Sequence, residues 1–139
     1  ACTGLSNVIF IDLQPLERLG ELLGLADIHL LPQRADAADL VMPSKLTGML
    51  ASGKSVIATA TADTELGHVI THDAKCGLIV EPENGQSLAQ AIIQLSKDAE
   101  SRKIYGQNGR DYAEHNLSKN KILKDFEKEL VKVIGVEKK

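Results

Sequence analysis

The sequence is poor in aromatic residues: two Tyr, two Phe and no Trp make up 3% of 139 residues. Few rings are therefore available to stack single-stranded bases. Positive charge is not in excess either. Lys and Arg number 16 against 19 Asp and Glu, a net charge of −3, whereas a binder of the phosphate backbone needs a clear basic balance. No nucleic-acid partner is expected. Cysteine is confined to Cys2 and Cys76, far apart and in no CxxC pair, which argues against a disulfide scaffold and fits a reducing cytosol. No apolar run is long enough to span a bilayer, and no signal peptide pattern is present. Three motifs of well-defined chemistry are missing too. There is no GxGxxG after a strand, no GxxxxGKS/T loop and no GxSxG elbow, which disfavours a dinucleotide fingerprint, a P-loop and a serine hydrolase.

What is there reads as one soluble domain. The hydrophobic share is 43% and the charged share 25%, ordinary values for a globular chain, and the length fits a single core. Four short apolar runs read as strands: Val8-Ile9-Phe10-Ile11, Asp27-Ile28-His29-Leu30-Leu31, Ser55–Thr59 and Gly77–Val80. Helical spacing lies between and after them. Leu16, Leu19, Leu22 and Leu23 repeat before Gly24. Residues 45–52 follow Ser44, a candidate N-cap, and carry Leu46, Met49 and Leu50 on one face before Gly53. Asp63 or Thr64 can cap a short helix with Leu66, Val69 and Ile70. Further helices are read from Ser87 through Leu95, over residues 99–114 and over residues 118–133. In the last, Ile122, Phe126, Leu130 and Val133 form the apolar stripe. Strands apolar along their length, alternating with helices, predict an α/β fold: a parallel sheet with helices on both faces.

Ligands of such sheets sit beyond the carboxyl ends of the strands. That singles out the loops at residues 12–15, 32–44 and 60–64. The second leads into a helix opening with Ser44-Lys45-Leu46. A helix N-terminus offers unpaired N–H groups and a positive dipole end to phosphate oxygens, and Lys45 adds a formal charge. Two readings stand: a diphosphate seat, or an ordinary Ser-capped helix with an exposed Lys. His68 and His72 are four apart and can share a face, yet without an HExxH context the pair reads as solvent-facing rather than as metal ligands. His29 reads as a hydrogen-bonded core histidine. Asp36 and Asp39 are paired acids or solvated loop carboxylates. Gly106 and Gly109 follow no strand and read as packing positions or a helix break.

The run Met42-Pro43-Ser44-Lys45-Leu46-Thr47-Gly48-Met49-Leu50-Ala51-Ser52-Gly53-Lys54-Ser55-Val56-Ile57-Ala58-Thr59 resembles the P-S-K … A-x-G-x-P-V-I-A-T segment of GT-B glycosyltransferases, with Ser55 in place of the usual Pro. The flanks agree in order. Asn7-Val8-Ile9-Phe10 is similar to the N-V-x-F-x-G strand, Ala26-Asp27-Ile28-His29-Leu30-Leu31-Pro32 to A-D-v-x-l-l-P, and Gly77-Leu78-Ile79-Val80-Glu81-Pro82 to G-l-l-v-x-P. The helix from Ser87 and the run from Arg102 to Arg110 complete the pattern over nearly the whole chain. The resemblance is to the retaining group 1 (family 4) transferases, and among them to colanic-acid-type exopolysaccharide enzymes.

The resemblance implies the Rossmann-like C-terminal domain of a GT-B enzyme, which holds a nucleotide-sugar donor. Leu13, Gln14 and Pro15 would lie against the base; Pro43, Ser44, Lys45, Leu46 and Gly48 would meet the diphosphate and donor sugar. It implies no cofactor and no metal, with GDP-sugars slightly favoured over UDP-sugars. The acceptor, lipid-linked or a saccharide, would be bound by an N-terminal domain. That domain and the first two βα units of the family pattern are absent from residues 1–139. By this reading the chain is truncated on its N-terminal side and inactive alone. A cytoplasmic place is expected, peripheral to the inner membrane at most, with no membrane insertion from this part. The chain departs from the family at its Glu-x7-Glu pair, where Leu40 and Gly48 stand; Asp39 is a neighbouring substitute. Two other readings compete: a nucleotide-sugar epimerase of the same fold, and a non-catalytic α/β interaction module.

Overall fold

The computed structural model describes residues 4–34 and 42–135. Three strands form one parallel sheet in the order β1-β2-β3, where β1 is Ile28–Leu31, β2 is Ser55–Thr59 and β3 is Gly77–Val80. Leu31 stands opposite Ala58, and Thr59 opposite Val80. Parallel neighbours need crossovers. Helix α2 (Lys45–Ala51) lies between β1 and β2, and α3 (Glu65–His68), continued by a π-helical turn at Val69–Asp73, lies between β2 and β3. Ahead of β1 come a 3₁₀ turn at Leu16–Arg18 and α1 (Leu19–Gly24); after β3 come α4 (Gly85–Lys97), α5 (Ala99–Asn116) and α6 (Lys119–Ile134).

The period-two alternation of a strand divides the core into two layers. Val56 and Ala58 pack on one face with Leu46, Leu50, Leu66, Ile70 and Ala113. Ile57 packs on the other with Ala91 and Leu95 of α4. Helices therefore cover both faces, and the predicted α/β class holds. Only the middle strand is buried along its whole length; β1 leaves Leu30 42% exposed at the edge. Gly106 and Gly109 are packing positions within an unbroken α5. A Cβ at Gly106 would stand 2.1 Å from the Gly53 carbonyl oxygen, and one at Gly109 would stand 3.1 Å from Cys76 Cβ.

Several expectations are corrected. The 8–11 run forms no strand and its side chains face solvent, Ile9 at 83% and Phe10 at 78% exposure. A strand needs a hydrogen-bonding neighbour, and no described strand pairs with it. The stripe of α6 is not a core face: Ile122, Phe126, Leu130 and Val133 are exposed, and the helix buries no residue. Its periodicity reported amphipathicity, which does not name the surface that covers it. Helix α4 begins at Gly85 rather than Ser87, because Asn84 accepts the Ser87 N–H at 3.0 Å and caps it. Of the two expected caps for α3, Asp63 or Thr64, Thr64 serves, accepting the Gly67 N–H at 3.0 Å.

Candidate functional site

The carboxyl edge of the sheet is formed by the ends of β1, β2 and β3. Pro32 ends β1, and the next residue is tied to the neighbouring strand. The Gln33 N–H donates to Thr59 Oγ1 at 2.5 Å, and the Thr59 hydroxyl donates back to the Gln33 carbonyl at 2.7 Å. Beyond β2, the Thr61 hydroxyl donates to Asp63, and the Thr64 hydroxyl donates to the Thr61 carbonyl at 2.8 Å. Asp63 is held below the usual carboxylate range, first by the Thr61 hydroxyl. Gly67 is required here, since a Cβ would lie 2.1 Å from the Thr61 carbonyl oxygen.

Helix α2 opens at the same edge, as a β–α–β crossover dictates. Ser44 does not cap it. Its backbone is already helical (φ −57°, ψ −26°) and its side chain makes no cap hydrogen bond, because a capping side chain needs an extended residue to reach back. The chain turns one residue earlier, where the Leu46 N–H donates to the Pro43 carbonyl at 2.9 Å. Leu46 is buried at 3% exposure and pins the first turn to the core, while Ser44 and Lys45 are exposed. Gly48 lies one turn on and faces α1, where a Cβ would stand 3.2 Å from Leu23 Cδ1.

The far end of α2 is fastened to β1. His29 is buried, with Nε2 2.9 Å from Ser52 Oγ, and Ser52 donates to the Met49 carbonyl at 2.6 Å. The hydroxyl proton being spent on Met49, the imidazole Nε2–H is the donor to Ser52. Burial, and then the nearby Lys54 charge, push the His29 pKa below its ordinary value, so the ring is neutral at pH 7. The expected hydrogen-bonded core histidine is what the fold contains.

Leu13, Gln14 and Pro15 precede α1. Leu13 is exposed, and Pro15 leads into the 3₁₀ turn, accepting the Arg18 N–H at 3.0 Å. Gln14 is half-buried, donates to the Asp12 carbonyl at 2.9 Å, and lines a cavity of about 230 Å³ with Ile11, Arg18 and Leu22. Among the described residues no hydrogen bond joins this segment to Pro43-Ser44-Lys45-Leu46; the two are linked through the Leu23–Gly48 approach. Asp36, Asp39 and Leu40 lie outside the described residues.

Two other features sit elsewhere. His68 and His72 share a face and stack with ring centroids 4.8 Å apart; His68 Nδ1 is 3.3 Å from Asp73 Oδ1, and both are exposed. A cavity of about 400 Å³ between the π-helical turn and α5 is lined by His72, Lys75, Asn108, Asp111 and Tyr112. It opens where β3 begins, at the amino edge of the sheet, the wrong end for a ligand of this fold. Cys76 is buried, and burial pushes its thiol up to about 12, which removes it as a nucleophile.

The family model for glycosyl transferases group 1 matches residues 2–112. The chain belongs to the group 1 glycosyl transferases. It is 38% identical over 123 residues to the glycosyl transferase WcaI of Escherichia coli (strain K12), named for colanic acid biosynthesis; the match covers 88% of this chain and 29% of that protein. Two uncharacterized glycosyltransferases of Methanocaldococcus jannaschii also match. MJ1069 is 23% identical over 63% of this chain and 21% of its own length, and MJ1178 is 33% identical over 53% and 22%. The chain thus spans under a third of the length of each of these relatives. No solved structure matches it significantly. Sequence reasoning missed the Gln33–Thr59 clamp. Pro32 and the β-run ending at Thr59 mark both strand ends, but their register is a tertiary fact.

Proposed function

We propose that this chain is the donor-binding part of a glycosyltransferase of exopolysaccharide or cell-surface glycan synthesis. The enzyme transfers a sugar, with retention, from a nucleotide diphosphate to a lipid-linked or saccharide acceptor. The observation that carries this reading is Pro43-Ser44-Lys45-Leu46 opening α2 at the carboxyl edge of a parallel sheet, in a chain of the group 1 family. The likeness to WcaI supports the glycan class.

Bond cleavage between the sugar and the diphosphate leaves negative charge on the departing phosphate oxygen. The first turn of α2 carries no side-chain cap; the Leu46 N–H is spent on the Pro43 carbonyl, and the positive dipole end of the helix faces that charge. Lys45 adds a full charge. Fixed dipoles and a cation stabilise the leaving group without reorganisation, and in this reading no metal is needed for the task. Gln14, with Leu13 and Pro15, takes the base; Gly48 lets α1 approach α2 beside the seat. A GDP-sugar is the donor we favour over a UDP-sugar, and the cytoplasm, at the inner-membrane surface, is the place.

The sheet supports a larger domain. In the doubly wound order 3-2-1-4-5-6, the 8–11 run takes the third place and β1 the fourth, with two strands between them. The exposed apolar side chains at Ile9 and Phe10 are then surface those βα units cover. The acceptor is bound by a further domain of the same enzyme. Among the described residues no helix is long and apolar enough to cross a membrane.

Lys45→Ala tests the seat. In the protein at its natural length, the substitution should raise the donor KM or lower turnover. Losing one charge-assisted contact of roughly 1.5–3 kcal/mol lowers kcat/KM by roughly ten- to 150-fold. An unchanged kcat/KM removes Lys45 from the site.

A further inference from the structure

The cavity of about 230 Å³ beside Gln14 carries an ion pair in its wall, Arg18 with Glu21. Binding sites for whole drug-sized molecules run to roughly 300–1,000 Å³, so this one suits a single ring system. Its polar groups are ordered. Arg18 Nε and Nη2 both meet Glu21 Oε2, at 3.0 and 2.9 Å. Glu21 Oε1 takes no hydrogen bond from the described residues. The two side chains are 62% and 66% exposed, so a ligand can reach them, and an exposed pair of this kind adds little to the stability of the fold. Ile11 and Leu25, exposed at the rim, and the half-buried Leu22 supply the apolar walls. Leu23, next along α1, approaches Gly48 of α2, which joins the cavity's helix to the one that opens with Lys45.

We propose that Glu21 and Arg18 are specificity residues that read the donor's base and select guanine. The inference rests on the donor-binding reading above, which puts the base at Gln14. A carboxylate only accepts hydrogen bonds and a guanidinium only donates them, so the pair presents acceptors beside donors. Guanine carries the complement along one edge. Its N1–H and its N2 amino group are adjacent donors, and the O6 acceptor follows them. The Glu21 carboxylate takes the two donors, and an N–H of Arg18 turns to O6. Uracil offers one donor, N3–H, between two carbonyl oxygens, so the carboxylate gains one bond and its second oxygen meets a like charge. Adenine offers its amino group beside a bare ring nitrogen, with the same result. A site built to accept from two donors rejects a base that lacks one of them. Ile11, Leu22 and Leu25 shed water from the ring faces, which strengthens the charged hydrogen bonds at the edge.

Glu21→Gln separates this role from that of an ordinary surface ion pair. The variant keeps the length of the side chain and puts a donor amide where one acceptor oxygen stood. The protein at its natural length, its Glu21→Gln variant and its Lys45→Ala variant are titrated calorimetrically with GDP, UDP, ADP and inosine diphosphate, which is GDP without the N2 amino group. The wild type should bind GDP about tenfold or more tighter than the other three. Glu21→Gln should weaken GDP by about ten- to 150-fold, narrow the gap between GDP and inosine diphosphate to about twofold, and keep Tm at the wild-type value. Unchanged affinity for GDP overturns the proposal. So does a wild type that prefers another base, an equal loss of every nucleotide in Glu21→Gln, or a fall in Tm that accompanies the loss. If Lys45→Ala weakens the nucleotides and Glu21→Gln weakens none, only the Glu21 role fails. If the wild type binds none of the four, the donor-binding reading fails and takes this inference with it.

Discussion

Gly106 sits mid-helix in α5, where alanine would favour the helix by about 1 kcal/mol. The fold overrules that preference. A Cβ there would meet the Gly53 carbonyl oxygen at 2.1 Å and its carbon at 2.8 Å, and both are backbone atoms that cannot swing away. Gly106→Ala should therefore destabilise the protein by about 1–3 kcal/mol through overpacking. Gly85→Ala is the contrast: nothing lies within 4 Å of its Cβ position, so alanine should stabilise by about 0.4–1 kcal/mol through the unfolded chain. Urea midpoints measure both. His29 makes a pH prediction. Its pKa in the folded protein is depressed by burial and by Lys54, so unfolding takes up a proton once the pH is below about 6.5. The stability from a neutral His29 is then complete above that pH and is lost as pH falls toward the lowered folded value, at up to about 1.4 kcal/mol per pH unit. Chemical denaturation between pH 7.5 and 5 should show that slope, and His29→Gln should remove it.

At the scale of elements, β2 and β3 show what a one-dimensional pattern can carry. Ser55–Thr59 and Gly77–Val80 read as strands from composition alone and fold as β2 and β3, because β-branched and apolar side chains suit a pleat that is covered on both sides. Val8-Ile9-Phe10-Ile11 has the same composition and forms no strand. The difference is a hydrogen-bonding neighbour, which composition does not encode. Helices divide the same way. The stripe of α4 buries Ala91 and Leu95, whereas that of α6 buries nothing. Local stability should follow burial. In native-state hydrogen exchange, the amides of β2 should be protected nearly to the global unfolding free energy, while those of α6 and of residues 8–11 exchange orders of magnitude faster. Equal protection across the three would show that exposed apolar elements are held by contacts the fold does not display.

For the whole molecule, membership of the group 1 family and the sheet's polarity together direct attention to one edge. Pro43-Ser44-Lys45-Leu46, Gln33 and the Thr61–Thr64 turn all lie where the parallel strands end, although they are separated along the chain. The Lys45→Ala kinetics act at this scale, because the donor of the proposed reading is held between several elements.

The sequence by itself determined the α/β class, the positions of β1, β2 and β3, and the helix opening with Ser44 and Lys45. These follow from periodicity, from glycine and proline punctuation and from the family motif, all of them local. Tertiary structure alone decided the rest. It left the 8–11 run unpaired and the α6 stripe uncovered, turned Ser44 from a cap into a helical residue, and moved the α4 cap to Asn84. It also brought Gln33 against Thr59 across 26 residues and left Oε1 without a donor. Register, burial and hydrogen-bond saturation are properties of which surfaces meet, and that is settled only when the chain is folded.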